Sequence, residues 1–258
     1  MRIDSSGLQP AAQMIAEAAV SAYEKHLHPW LVTVVAYGSA VGGGYIAGGS
    51  DLDLALILAP GLLDVRGGLP LERAIALHKD LARIDPWPFR ALQAHAFGRG
   101  EAPRPGFVPG AYHVVAGDPD VFLATPAALL ADAHSALAAL DAEAVVARIS
   151  HELLQHGEER LYRELRLLAT DVWPVLYHVL TLESGADPLL VWRLAKPDAV
   201  ARTDPRSDLG RAIRGFYTNL RRHYAAPPER PSTALTALPP GVAFLRTAAA
   251  WYAALARP

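Results

Sequence analysis

The segment from residue 34 to residue 58 constrains the fold more than any other part of the chain. It reads VVAYGSAVGGGYIAGGSDLDLALIL, which is an apolar run, a Gly-Ser pair, a glycine-rich stretch and a second apolar run opening with Ser-Asp-Leu-Asp. Short apolar runs bounded by glycine are typical of buried strands. The segment therefore predicts two strands joined by a loop, and the rest of the chain is expected to support them.

Two carboxylates open the second of these strands. Asp51 and Asp53 are two positions apart, and side chains at that spacing leave the same face of a strand. Carboxylates held side by side raise one another's pKa unless they share a cation. Oxygen ligands select a hard ion such as Mg²⁺, which also takes phosphate oxygens. The pair is therefore predicted to hold Mg²⁺.

The Gly-Ser pair that ends the first strand predicts an anion-binding turn. Gly38 would let the backbone approach a ligand closely, and a helix beginning at Ser39 would direct free N–H groups toward a phosphate. A metal site and a phosphate site are thus expected at one place.

The YGS at 37–39 and the SDLD at 50–53 together resemble the signature of the DNA polymerase β-type nucleotidyltransferase superfamily, and they are most like its aminoglycoside adenylyltransferase branch. The resemblance implies Mg²⁺-dependent transfer of a nucleoside monophosphate, by default AMP from ATP, to a hydroxyl of a small acceptor such as an aminoglycoside. Pyrophosphate would be released. It implies catalytic and metal-binding roles for Asp51 and Asp53, and nucleotide-binding roles for Gly38, Ser39 and Ser50.

A further strand is predicted at 89–97, the strand that in this superfamily usually carries a third acidic ligand. Here the corresponding positions hold Gln93 and His95. Gln93 could bind a metal through its carbonyl oxygen and neutral His95 could meet a softer metal, or both could be structural. Two functions therefore stay open. One is a working nucleotidyltransferase, and the other is a catalytically impaired protein of the same fold that binds nucleotide or a partner as an antitoxin-like or regulatory module.

The predicted fold class is α+β, with a nucleotidyltransferase domain at 1–124, whose mixed sheet is flanked by helices, and a helical substrate or partner domain at 125–258. The run at 177–185 and the Lys-Pro at 196–197 resemble the helical domain of the same branch, which implies that this domain supplies a general base. The unranked candidates are Glu152, Glu164, Asp171 and Glu183. Helices are expected at 10–27, 71–84, 126–132, 143–168, 171–183, 188–195, 211–224 and 242–256, with a proline-rich linker at 227–240.

The glycines of the loop also fit another motif, because GGGYIA at 42–47 matches the G-x-G-x-x-A dinucleotide fingerprint. That fingerprint should open a long helix directly after a strand. Here the next strand is expected to begin by Asp51, so the glycines are interpreted as a loop over the phosphates.

Composition narrows the class of partner. The chain has 258 residues and a formal net charge of −2, so there is no electrostatic case for nucleic acid or an acidic membrane surface. There are no cysteines, hence no disulfides or thiolate metal sites. No stretch offers about 18 uninterrupted apolar residues and the N-terminus lacks a signal-peptide pattern, which predicts a cytoplasmic protein without a membrane span.

Overall fold

A computed structural model describes residues 1–101, 105–155, 157–183, 187–225 and 230–255 of the chain. These residues form four strands and ten helices. The chain divides into two compact units, Met1–Thr125 and Pro126–Pro258. The α+β class predicted from the sequence is confirmed, because all four strands lie in the first unit and the second is helical. The functional roles expected of the two domains stay predictions.

The first unit is built on one mixed sheet with the strand order β3-β2-β1-β4. β1 pairs antiparallel with β2 and β4, whereas β2 and β3 are parallel. A parallel pair needs a crossover, and the connection from β2 to β3 contains a helix. The elements are β1 Leu31–Tyr37, β2 Leu52–Leu58, β3 Leu92–Gly98, β4 Tyr112–Gly117, α1 Pro10–Leu27, α2 Ser39–Gly42 and α3 Leu71–Leu81.

The two faces of the sheet are buried unequally. One face packs with α1 and α3 in a large apolar cluster that includes Leu54, Ala16 and Leu77. The other face carries a small cluster centred on Val35, Ala55 and Phe107. Side chains alternate between faces along a strand, so the even-numbered residues of β2 point into the large core and the odd-numbered ones toward the small cluster.

The second unit consists of helices in the described residues. They are α4 Pro126–Ala138, α5 Ala142–Glu152, α6 Glu158–Glu183, α7 Pro188–Val191, α8 Lys196–Arg202, α9 Asp208–Tyr224 and α10 Pro231–Leu255. The most extensive packing is between α9 and α10, and α6 packs against both α4 and α10.

The helix boundaries predicted around residue 170 were wrong. The expected helix at 143–168 is broken near Gly157, whose φ is +156°, and α6 then runs without interruption through Pro174. An interior proline costs about 3 kcal/mol, but fully burying one leucine contributes roughly 1.5–3 kcal/mol. Leu168 and Leu176 are completely buried on either side of Pro174, which offsets the cost.

The linker predicted at 227–240 was also wrong from residue 231 onward, because α10 passes through Pro239 and Pro240. Each proline leaves a carbonyl four residues earlier without its helical donor. For Pro240 this carbonyl belongs to Thr236, and the side-chain amide of Asn219 donates to it at 3.3 Å. Residues 227–229 of the predicted linker lie outside the described residues, as do residues 184 and 185 of the run that resembles the helical domain.

Among the described residues, none of the helices is both long and apolar enough to cross a bilayer.

Candidate functional site

The two aspartates lie where β2 begins. Main-chain hydrogen bonds tie the segment ahead of β2 to the one ahead of β3, from Leu52 N to Ala91 O at 2.9 Å and from Arg90 N to Ser50 O at 2.9 Å. The chain is therefore extended from Ser50 onward. Leu52 is fully buried in the large core, while Asp51 and Asp53 are half-buried. Because alternate residues of extended chain share a face, both carboxylates lie on the face opposite Leu52.

Gly38 and Asp53 are in close contact. Asp53 pairs with Tyr37 in the antiparallel ladder, and the chain turns at the next residue, Gly38, with φ 66° and ψ −139°. A β-carbon at Gly38 would lie 3.1 Å from Oδ2 of Asp53. The left-handed φ favours glycine here, and a β-carbon would force the carboxylate of Asp53 to shift. The structure thus brings the Gly-Ser turn and the aspartate pair together, and the absence of a β-carbon at residue 38 permits this close approach.

Ser39 follows directly and begins α2, a helix of only four residues. The residue is 8% exposed, and its carbonyl accepts a hydrogen bond from Gly43 N at 3.1 Å. Ser39 therefore lies at the turn beside Asp53 but is mostly covered. Its role in binding nucleotide stays a prediction.

Ser50 forms its hydrogen bonds within its own loop. Its hydroxyl accepts a hydrogen bond from Ile46 N at 2.9 Å, and its backbone N–H donates to Ile46 O at 2.8 Å. The side chain is buried. These two bonds close the glycine-rich loop just before Asp51, which gives Ser50 a structural role. The nucleotide-binding role implied by the family resemblance stays a prediction.

β3 brings Gln93 beside the aspartates. The parallel register pairs Gln93 with Asp53 and His95 with Ala55, so Gln93 is the immediate cross-strand neighbour of Asp53. The amide Nε2 of Gln93 lies 2.9 Å from Nε2 of His95. If the amide donates this bond, His95 accepts at Nε2 and carries its proton on Nδ1. The amide oxygen of Gln93 is then the one that can bind a cation.

The donor set fits Mg²⁺ better than a transition metal. Within the part of the chain that the structure describes, no group of three or more His, Cys, Asp and Glu side chains is placed to hold a metal. A closed protein cage is therefore not formed there. Mg²⁺ is usually bound by one or two carboxylates together with waters and substrate phosphates, and Asp51 with Asp53 supply that minimum.

Tyr37 is the cross-strand neighbour of Asp53 on β1. In the sequence motif, the position of Tyr37 indicated only an apolar residue. Burial, together with the negative charge of Asp53, raises the pKa of the Tyr37 hydroxyl well above its ordinary value. The hydroxyl is therefore protonated at neutral pH. The ring packs edge-on against Phe107 at 6.1 Å, and Phe107 packs against Tyr112 at 5.5 Å. The proximity of Tyr37 to Asp53 follows from the register of β1 against β2, which the apolar run of β1 does not reveal.

Two of the four general-base candidates in the second unit are paired with one arginine. Glu164 is almost completely buried and accepts a hydrogen bond from Nε of Arg148 at 3.1 Å. Asp171 accepts from Nη2 of the same arginine at 2.8 Å. Both carboxylates therefore belong to one ion-pair cluster around Arg148.

The other two candidates differ in their surroundings. Glu152 accepts a hydrogen bond from Arg160 at 3.2 Å. Burial raises the pKa of Glu183, and the negative charge of Asp204 raises it further. The raised pKa makes the Glu183 carboxylate a stronger base than an ordinary glutamate.

No protein-family model matches the chain, and no curated protein matches it. Among solved structures, it aligns with the spectinomycin adenyltransferase AAD(9) from Enterococcus faecialis, determined with ATP and spectinomycin. The alignment covers 92% of this chain and 98% of that one, with a TM-score of 0.49 and 11% sequence identity. A function for this chain therefore has to be argued from the residues of its site.

Proposed function

We propose that this chain is a nucleotidyltransferase that transfers a nucleoside monophosphate from a nucleoside triphosphate to a hydroxyl group. The observation that carries the proposal is the contact of Gly38 with Asp53, which joins a left-handed glycine turn to a pair of carboxylates at one end of the sheet. A turn that binds phosphate next to a pair that binds a hard cation is the minimum such a reaction needs.

Asp51 and Asp53 would hold Mg²⁺, and Gln93 could add its amide oxygen. When bound, the ion supplies positive charge that neutralises the nucleotide phosphates. The backbone at Gly38 and Ser39 would orient the terminal phosphates, so that the acceptor oxygen faces the α-phosphorus opposite the departing pyrophosphate. The P–O bond to the acceptor forms while the bond to pyrophosphate breaks, and the acceptor proton passes to a base. Catalysis would come mainly from positioning and charge neutralisation.

For the substrates, we propose ATP as the nucleotide and a small polyhydroxylated molecule such as an aminoglycoside as the acceptor. The family resemblance of the YGS and SDLD motifs supports this choice, and the net charge of −2 is compatible with a cationic acceptor. Glu183 is the candidate base, because partial burial and the negative charge of Asp204 raise its pKa, which makes its carboxylate a stronger base than an ordinary glutamate.

The test is pyrophosphate release from ATP and Mg²⁺ in the presence of a panel of aminoglycosides that includes spectinomycin. We expect an acceptor-dependent rate that falls about a hundredfold or more in Asp53→Asn, because the substitution removes a charge that holds the ion. Glu183→Gln should lower the rate without weakening ATP binding. A protein that binds ATP with Mg²⁺ but releases no pyrophosphate with any acceptor would instead be the catalytically impaired binding module.

A further inference from the structure

The short helix α2 depends on tertiary contacts for its orientation. It has four residues, and isolated helices of that length are not stable because nucleation is unfavourable. The carbonyls near its end also lack helical donors. Two of these carbonyls, those of Ala40 and Val41, are satisfied by one residue, Gln9. The backbone N–H of Gln9 donates to Ala40 O at 2.8 Å, and its side-chain Nε2 donates to Val41 O at 3.1 Å.

Gln9 is itself rigidly placed. It precedes Pro10, and a residue before proline is confined to extended conformations, as its φ of −55° and ψ of 139° show. Pro10 begins α1, which is anchored in the large core by residues such as Ala12 and Ala16 that have no exposed surface. Gln9 therefore links α2 to the most deeply packed helix of its unit.

The position of Gln9 is informative because glutamine is unusual there. It occupies the N-cap of α1, where Ser, Thr, Asp or Asn would stabilise the helix by about 1 kcal/mol. Among the described residues, its side chain makes no capping bond to α1 and reaches α2 instead. A β-carbon on Gly43, just past α2, would lie 3.4 Å from Nε2 of Gln9, so the loop also approaches this side chain closely.

From these contacts we propose that Gln9 is a positioning residue of the nucleotide site, which fixes the direction of α2 and so holds the Gly38–Ser39 turn against Asp53. The inference rests on the proposed function for its consequence in nucleotide binding. Its structural part, that the Gln9 side chain orders α2, can be tested without any nucleotide.

The variants are chosen to change one hydrogen bond at a time. Gln9→Ala removes the side-chain donor but keeps the backbone bond to Ala40. Gln9→Glu keeps the shape and replaces the donor by a carboxylate at neutral pH. The matched controls are Gln13→Ala and Gln13→Glu, because Gln13 lies one turn along α1 and its side chain also donates to a backbone carbonyl, Leu8 O at 3.3 Å.

The first measurement is hydrogen–deuterium exchange of the peptide that covers residues 39–43. We expect exchange to be about fivefold to tenfold faster in Gln9→Ala than in wild type, since one net hydrogen bond is lost, and unchanged in Gln13→Ala. Unaltered exchange in Gln9→Ala would overturn the proposal whatever the protein binds.

The second measurement is the affinity for ATP with Mg²⁺ as a function of pH. We expect Gln9→Glu to bind roughly tenfold more weakly than wild type at about pH 7.5 and to recover toward wild type at about pH 4, below the ordinary glutamic acid pKa of about 4.3, where the protonated side chain again donates to Val41 O. The affinity of Gln13→Glu for ATP relative to that of wild type should not change with pH. A Gln9→Glu deficit that does not change with pH contradicts positioning by the donor. Wild-type protein that binds no ATP overturns the proposed function instead, and the exchange result still decides whether Gln9 orders α2.

Discussion

At the scale of single residues, the proposed site depends most on Gly38. Its φ of 66° is in the left-handed region, and a β-carbon there would approach Oδ2 of Asp53 to 3.1 Å. The two constraints have different consequences. The conformation affects the stability of the turn, whereas the missing side chain lets the turn lie directly against the carboxylate of Asp53.

Gly38→Ala should therefore lose both stability and nucleotide binding. We expect a loss of about 1–2 kcal/mol in the free energy of unfolding from the left-handed φ, and a much weaker affinity for ATP with Mg²⁺. Gly67→Ala is the control, because Gly67 has a φ of 78° and a β-carbon added there would meet no other atom within 4 Å. Urea unfolding and ATP titration of both variants separate the effects. Equal loss of affinity in the two variants would contradict a specific role for Gly38.

A second residue, His178, makes the stability of the helical unit depend on pH. Its side chain is buried, and among the described residues Nδ1 has no hydrogen-bond partner. Burial lowers the pKa of His178 below its ordinary value of 6.5, and the carboxylate of Asp132, 3.9 Å away, only partly opposes this effect. The folded state therefore binds a proton less readily than the unfolded state.

Because the pKa of His178 is lower in the folded state, its contribution to the free energy of unfolding is complete above about pH 6.5. This contribution is lost as the pH falls below that value. We expect the free energy of unfolding to decrease between about pH 7 and pH 5, and this decrease to be smaller in His178→Phe, which cannot take up a proton. Urea unfolding at several pH values measures it. The exposed His151, changed to Phe in the same way, is the control and should leave the slope unaltered. An identical slope in wild type and His178→Phe would show that His178 is not responsible.

At the scale of elements, the strands were predictable and the proline-containing helices were not. The apolar runs at β1 and β2 and the helical spacing of α1 carry strong local signals, and the predicted range 10–27 agrees with α1. In contrast, Pro174 was predicted to lie in the first turn of a helix at 171–183, and Pro239 and Pro240 were predicted to lie in a linker. The structure keeps these helices intact because buried leucines and the amide of Asn219 compensate, and such tertiary contacts leave no trace in a local pattern.

Gly241 marks the closest packing of α10 with its neighbours. A β-carbon there would lie 2.8 Å from Cδ2 of Leu168 in α6 and 2.8 Å from Cδ2 of Phe216 in α9. Leu168 and Phe216 are fully buried, and the ring of Phe216 is the more rigid obstacle.

Gly241→Ala should destabilise the protein although alanine is the better helix former. Overpacking costs about 1–3 kcal/mol, and the gain in helix propensity is at most about 1 kcal/mol. Phe216→Leu should be destabilising alone but should relieve the overlap, so the double variant is expected to lose less than the sum of the two single changes. Thermal or urea unfolding of wild type, the two single variants and the double variant completes this double-mutant cycle. Strictly additive losses would mean that the two positions do not restrict each other.

The sequence predicted only part of the candidate site, because residue spacing reveals local geometry but not tertiary contacts. Asp51 and Asp53 are separated by two positions, and the strand geometry that puts them on one face is local. The cross-strand neighbours of Asp53 are not local. Gln93 was identified through a family resemblance, while the proximity of Tyr37 and the contribution of Gln9 depend on the register of the sheet and the packing of α1, which no spacing in the sequence encodes.

At the scale of the whole molecule, all the residues of the proposed nucleotide site belong to the first unit, Met1–Thr125. The formal net charge of −2 gives no general attraction for polyanions, so binding of ATP would have to come from the site itself. The cytoplasmic location expected from the sequence stays a prediction. The identity of the acceptor is likewise decided by experiment, because one fold supports many activities.

The central claim is that Asp51 and Asp53 form, with the Gly38–Ser39 turn, a metal-dependent nucleotide site. The most direct test is thermal unfolding with ATP or GTP, each with and without Mg²⁺, on wild type and on the double variant Asp51→Asn with Asp53→Asn. The control is Asp118→Asn with Asp120→Asn, which removes the same charge at the same spacing. These two residues follow the end of β4 that lies away from Tyr37 and the proposed site. At a nucleotide concentration of about 100 times Kd, we expect the melting temperature of wild type and control to rise by roughly 5–10 °C only with Mg²⁺, and that of the site variant not to rise. A rise that persists in the site variant, or no rise in wild type at nucleotide concentrations far above a millimolar, would contradict the claim.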